Sequence, residues 1–257
     1  MFIKLVCTLV FSLVVLTSLA LSKVFADTKV YDLNQQQIIR EEGLSWMEYG
    51  VSSPDGKHFY ASLYGQSGIA VFDQNLSDLT LKHIYKTGSE GLSNFVYPSE
   101  MAFNASGTVL FVGSALTEGP VTSFSRDSTS GLLQPISADT QADWWPSQLV
   151  LSPDGNFLFV LSTTSSIYTY AVNGTGVLEN PVSTPISFAY PSELTISPDG
   201  KNLYASNTSD DVEVLAVAPD GTLSQVQLFD GNTAGFEGMN RARLGQSASS
   251  PEGEELY

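Results

Sequence analysis

The sequence predicts an all-β fold built from four-stranded units packed around an axis. Three observations carry that prediction: a short stretch that returns at near-even spacing, strand-like runs with no helical period between the copies, and apolar residues on both faces of those runs. The stretch reads SPDGKHFYAS at 53–62, NASGTVLFVGS at 104–114, SPDGNFLFVLS at 152–162, SPDGKNLYAS at 197–206 and SPEGEELY at 250–257. Its copies start about 45–53 residues apart, a period that signals a propeller or a solenoid.

The fourth copy shows the order within a unit. ELTIS at 193–197 leads into the turn SPDG, then come KNLYASN, a polar break, VEVLAV, a second turn APDG and TLSQVQLF. Each run is short, rich in β-branched and aromatic residues, and bounded by Gly, Pro, Asp, Asn or Ser, which gives four strands per unit. In SPDG, Pro and Asp set the bend and Gly accepts the positive φ that closes it, so the tetrapeptide is a hairpin device without chemistry. NFLFVLS is apolar on both faces, the pattern of a sheet sandwiched between two others. One such unit cannot bury its own faces; stacking units radially as blades of a β-propeller does so and leaves only short edges.

The N-terminal part stands outside this pattern. Lys4, an apolar run from Leu5 to about Leu21, and Val24-Phe25-Ala26 read as a signal peptide over 1–26. The run is near the lower length limit for a membrane span, and the cleavage-like triplet favours removal, so no membrane span is expected in the mature chain. The single cysteine, Cys7, lies in this segment, so the exported chain relies on its core without disulfides. The propeller domain is expected over 27–257. Its repeat units lie near 46–96, 97–144, 145–189 and 190–242, with a partial unit at 243–257 and a half-blade at 29–41, whose VYDLNQQQIIR resembles the second half of a unit. About four complete blades plus a partial one predict a chain truncated from a larger propeller, because an end within a strand leaves an unpaired edge.

The formal net charge is −16, and removing the leader takes away Lys4 and Lys23 but no acid. Such a surface repels phosphate backbones and anionic lipid, which excludes nucleic acid as the expected partner. A protein, peptide or glycan ligand is left as the partner class.

The pattern SPDG-x-x-LY followed by V-x-V-[FL] and a G-x-L turn resembles the lactonase-type β-propeller repeat, the family of 6-phosphogluconolactonase-like and YVTN-repeat proteins. The likeness covers nearly all of the mature chain, on turn and core positions. It implies a seven-bladed fold in the enzymatic branch, which needs about 330 residues at this period. It also implies His, Arg and Glu side chains around an axial funnel.

Seven residues before the turns at Ser53, Asn104, Ser152 and Ser197 stand Trp46, Tyr97, Trp145 and Tyr190. Pro98, Pro146 and Pro191 follow in the last three units, then Ser99, Ser147 and Ser192, then Glu100, Gln148 and Glu193, with Tyr49 matching these last in the first unit. In a propeller this register lies at one mouth of the central channel. Rings stack on apolar faces while Glu and Gln bind hydroxyls or amides, so Trp46, Tyr97, Glu100, Trp145, Gln148, Tyr190 and Glu193 are the candidate ligand-binding residues. The alternative is structural: the rings wedge between blades, Pro stiffens the loop, and the polar groups satisfy inner-strand backbone.

No catalytic residue is assigned. His58 follows a turn and His83 sits in an outer strand, so both are expected at the surface. GVSSP, GLSNF and GQSAS lack the closing glycine of a nucleophile elbow. No cluster of metal-ligating spacing is present, and neither a metal nor a cofactor is expected. Arg241 and Arg243 are read as flanking a loop, and the sequons at Asn75, Asn104, Asn173 and Asn207 fall in or near turns. The expected function is therefore an exported, non-catalytic propeller that binds a ligand. The alternative is a lactonase-like hydrolase of a small sugar-derived lactone, with Glu100 and Glu193 as its acid/base pair.

Overall fold

The computed structural model describes residues 44, 46–75, 78–92, 95–114, 121–138, 145–179, 181–208, 211–230 and 233. The expected signal peptide, the expected half-blade at 29–41, the arginines at 241 and 243, and the expected partial unit at 243–257 lie outside the described residues.

The described chain forms four antiparallel sheets of four strands each. The first holds β1 (Met47–Ser52), β2 (His58–Leu63), β3 (Gly68–Gln74) and β4 (Leu79–Lys86). The second holds β5 (Pro98–Phe103), β6 (Val109–Ser114), β7 (Val121–Arg126) and β8 (Leu133–Ala138). The third holds β9 (Pro146–Leu151), β10 (Phe157–Ser162), β11 (Ser166–Ala171) and β12 (Val182–Pro185). The fourth holds β13 (Pro191–Ile196), β14 (Asn202–Asn207), β15 (Val212–Val217) and β16 (Leu223–Phe229). Strands pair in chain order within each sheet, and the first strands contact one another in sequence: β1 with β5, β5 with β9, β9 with β13. These are propeller blades, as the repeat predicts.

The turn chemistry is the same in the first, third and fourth blades. Ser53 Oγ donates to Asp55 Oδ1 at 2.6 Å, and Gly56 closes the bend at φ 69°. Ser152 with Asp154 and Ser197 with Asp199 repeat the bond at 2.6 Å. In the worn copy Asn104 substitutes for the pair, its Oδ1 accepting from the amides of Thr108 and Val109. The hydroxyl of Ser197 first, then backbone and Lys201, hold Asp199 down at about 2.

Three apolar clusters fill the spaces between consecutive blades. On β6, Leu110 and Val112 face the first blade with Tyr60, Val71 and Phe124. Val109 and Phe111 face the third with Leu158, Val160 and Tyr170. On β10 the division repeats, since Phe159 and Leu161 join Leu194, Leu203 and Leu215 of the fourth blade. Alternation along a strand thus serves two interfaces at once, which explains the apolar runs on both faces. Burying each Phe or Leu this way contributes about 2 kcal/mol.

His58 departs from expectation: it is buried, at 2% exposure. The chain after the turn folds it against the second blade, where its Nδ1 meets the Arg126 guanidinium at 2.6 Å and its Nε2 faces Asp73 at 3.5 Å. His83 stays at the rim, within 3.1 Å of Glu90. The sequon residue Asn207 is also buried, and its amide donates to Ala189 O and Asp211 Oδ2, so it is a turn-holding group.

Candidate functional site

Each blade enters its first strand through a β-bulge. The irregularity falls between Met47 and Gly50 in β1, Pro98 and Met101 in β5, Pro146 and Gln148 in β9, and Pro191 and Glu193 in β13. A bulge leaves backbone groups unpaired. The recurring serine closes it: Ser99, Ser147 and Ser192 donate to the carbonyls of Gly113, Leu161 and Ser206 at 3.4, 3.1 and 3.4 Å. For the serines, then, the structural reading holds. In β1 Ser62 Oγ does this work from the neighbouring strand, bonding both Tyr49 N and Tyr49 O.

The residues just after the serine come together. Tyr49, Glu100 and Glu193 lie close enough that both carboxyls act on the Tyr49 phenol. Glu193 accepts from the Gln148 amide, and Gln148 Oε1 accepts the backbone N–H of Leu194 on the next blade. Gln148 therefore ties β9 to β13 while orienting Glu193.

The two carboxyls are not equivalent. Burial first, then repulsion from Glu193 and Glu48, raises Glu100 to about 7. Burial also raises Glu193, but the Gln148 hydrogen bond opposes it. Two nearby acids pushed to different degrees give one proton-holding group and one that ionises first. The Tyr49 phenol is raised by burial and by both carboxyls, so it stays protonated and can donate.

The register aromatics stand three residues before the cluster positions, two before the serines where a serine is present. They are not wedges between blades: Trp46 is 70%, Tyr97 39%, Trp145 45% and Tyr190 77% exposed. Trp46, Tyr97 and Tyr190 also hold φ of 53°, 49° and 56°, in the left-handed region that costs a bulky side chain about 1–2 kcal/mol. Tyr97 and Tyr190 do so ahead of a proline, which disfavours helical conformations there further. Strain without burial gives no return in stability. Replacing Tyr190→Asn, a residue that tolerates this φ, is expected to raise Tm by about 2–4 °C. A fall in Tm by calorimetry would show that ring contacts outweigh the strain.

Sequence reasoning missed Tyr64 and Glu48. Tyr64 opens a short 3-10 turn (Tyr64–Gln66) after β2, and its ring lies 5.6 Å from Trp46 and 4.9 Å from Tyr97. The only signal was an aromatic beside Gly65, in a loop where the other blades carry no ring. Glu48 stands where the other blades have serine, and it adds charge near Glu100.

A cleft of about 960 Å³ lies instead among the outer strands of the first two blades, beside His83, Glu90 and Gln134. It shares no residue with the inner-strand cluster. Among the described residues no group of His, Cys, Asp and Glu is placed to hold a metal ion. None of their helices is long and apolar enough to cross a membrane.

The family described as "Lactonase, 7-bladed beta-propeller" matches residues 51–144 and 136–235. Sequence comparison with curated proteins gives no match. Among solved structures, the chain is similar to a candidate 6-phosphogluconolactonase from Bacteroides uniformis, with 24% identity and a TM-score of 0.62 over 72% of this chain and 55% of that one. It is similar to the periplasmic gluconolactonase of Pseudomonas aeruginosa, with 24% identity and a TM-score of 0.59 over 72% and 54%. A protein of unknown function from Desulfotomaculum acetoxidans aligns over 84% and 62%, with 13% identity and a TM-score of 0.65. The chain thus spans little more than half the length of the first two.

These findings correct the functional expectation. A non-catalytic binding module is not what the family match favours; the lactonase alternative is. The sequence misled because its shared positions are turns and core, and because Glu100 owes its raised pKa to burial first and then to carboxyls on other blades. From the match over most of its length, the chain belongs to the seven-bladed lactonase β-propeller family.

Proposed function

We propose that the chain is a lactone hydrolase acting on a sugar-derived lactone at the cluster of Tyr49, Glu100, Gln148 and Glu193. The observation that carries this reading is the Glu100 carboxyl, held at about 7 beside a second acid and a protonated phenol. A group titrating at the working pH is well matched to take and return a proton.

The chemistry follows from those roles. Glu100, ionised, takes a proton from water as its oxygen bonds to the lactone carbonyl carbon. The Tyr49 O–H donates to the carbonyl oxygen as it gains charge. The ring C–O bond then breaks, and Glu100 returns its proton to the departing ring oxygen, leaving a hydroxy acid. Glu193, oriented by Gln148, accepts from substrate hydroxyls. The cluster supplies both acid and base from one residue, so it needs no second titrating group in the step.

Export is part of this reading, supported by the N-terminal leader pattern and by the likeness to a periplasmic gluconolactonase. The test is consumption of gluconolactone by the purified full chain, corrected for spontaneous opening. The expected rate rises with pH through about 7 as Glu100 ionises. A rate equal to the spontaneous one at every pH would overturn the proposal.

A further inference from the structure

We propose that Trp46, Tyr64 and Tyr97 form a stacking platform for one neutral pyranose ring, a saccharide subsite outside the carboxylate cluster. The three rings form a continuous run, tilted by 43° and 33° at spacings of 5.6 and 4.9 Å. They come from both the first and second blades. Tyr64 N bonds Trp46 O at 3.1 Å, and Tyr97 N bonds Ser67 Oγ at 3.3 Å, so the backbone fixes all three to one rim. Gly65 lets the indole lie close, since a Cβ there would meet Trp46 at 3.3 Å.

The run breaks the repeat. At the place of Tyr64 the third and fourth blades carry Thr163 and Thr208. A packing role repeats in every blade; a ligand site is asymmetric, and among the described residues this one stands at a single blade junction. Its outer rings are exposed and conformationally strained, which fold stability does not require.

The chemistry of the rim selects the occupant. Exposed aromatic faces pack against the C–H faces of a sugar, and neighbouring carboxylates accept its hydroxyls. Glu48, exposed beside Trp46, is such an acceptor. With Glu48, Glu100 and Glu193 all acidic, a phosphorylated or otherwise anionic sugar is repelled. A cationic peptide is less well matched, because the rings form an open ladder and not the cage that encloses a quaternary or methylated ammonium. The register aromatic precedes the cluster residue by three positions, which leaves the platform for a second ring while the lactone sits at Glu100. Only that order of the two rings rests on the lactone-hydrolase reading; the platform does not.

Titration of the full chain with cellobiose, maltose and lactose by calorimetry tests the platform. At least one disaccharide is expected to bind saturably. Trp46→Ala and Tyr97→Ala each weaken that binding about tenfold, while Trp46→Phe keeps it within about threefold. A thermal melt of each variant checks that the fold is retained. Absence of binding by all three sugars, binding unchanged in both alanine variants, or binding of tetralysine in their place overturns the proposal. If a disaccharide binds but gluconolactone is not turned over, the hydrolase reading fails and the platform stands. Turnover without disaccharide binding gives the reverse.

Discussion

Glu100→Gln is expected to lower gluconolactone turnover by about 10²–10⁴-fold, the usual contribution of a positioned acid–base group. The same variant is expected to gain stability above neutral pH. Glu100 titrates at about 7 in the native chain against 4.5 for the ordinary carboxyl. The unfolded chain therefore releases a proton that the native chain retains. Below pH 4.5 both states are protonated and Glu100 costs nothing. The cost grows as pH rises through the window between 4.5 and 7 and is complete above it. Its upper bound is about 3 kcal/mol, reduced by solvent at a half-exposed mouth. Gln carries no charge, so its Tm advantage over the parent is expected to be about 4 °C at pH 8 and to vanish near pH 4. Paired melts at the two pH values, with turnover at the higher one, check this. A variant that loses stability at both would mean that Glu100 is a structural group.

Arg126→Met is expected to destabilise the fold by about 1–3 kcal/mol, the cost of leaving buried acceptors unsatisfied, since its charge partner Asp55 is exposed. The Arg126 side chain is 1% exposed. Its Nη2 reaches both oxygens of Asp55 at 3.0 Å, Nε donates to the Tyr60 hydroxyl at 2.9 Å, and Nη1 donates to Gly107 O at 3.0 Å. The Tyr60 hydroxyl in turn donates to Gly131 O at 2.6 Å. Met fills the volume but takes the guanidinium donors from Gly107 O and the Tyr60 hydroxyl, while Asp55 keeps those of Ser53 and Lys57. Burial raises Asp55, but the Ser53 and Arg126 hydrogen bonds outweigh it and bring it to about 2. Burial and the guanidinium both lower His58 from 6.5. Native His58 thus resists the proton that the unfolded chain takes up, and its contribution is lost as pH falls below 6.5. Asp55 holds its contribution down to 3.8 and loses it toward 2. The parent is therefore expected to lose Tm in steps on acidification, and Arg126→Met to flatten that dependence. A Tm unchanged by the substitution would show that the apolar cluster alone joins the first two blades.

How far the sequence carries can be argued from these residues. The Ser–Asp–Gly turn is local chemistry, so its copies were legible together with the strands they join. NFLFVLS showed by its apolar residues on both faces that β10 is covered on both sides. Asp55 looked like a turn residue and is one, but its bond to Arg126 spans 71 positions and leaves no local trace. His58 follows a turn, where exposure is the usual outcome, and only the second blade's position buries it. The inner-strand register placed Glu100, Gln148 and Glu193 at one mouth. It gave no hint that they differ, because the difference comes from which neighbour each blade meets.

The entry bulges have a consequence for how such a molecule can change over time. Each stands between a mouth residue and the part of the strand that packs into the core. A substitution at Trp46, Tyr97 or Tyr190 lies upstream of that irregularity, where pairing is already interrupted. It cannot slip the register of the residues beyond, so the interior does not register the exchange. The rim is mechanically insulated from the frame, and specificity at the channel mouth can drift between descendants while the scaffold stays as it is.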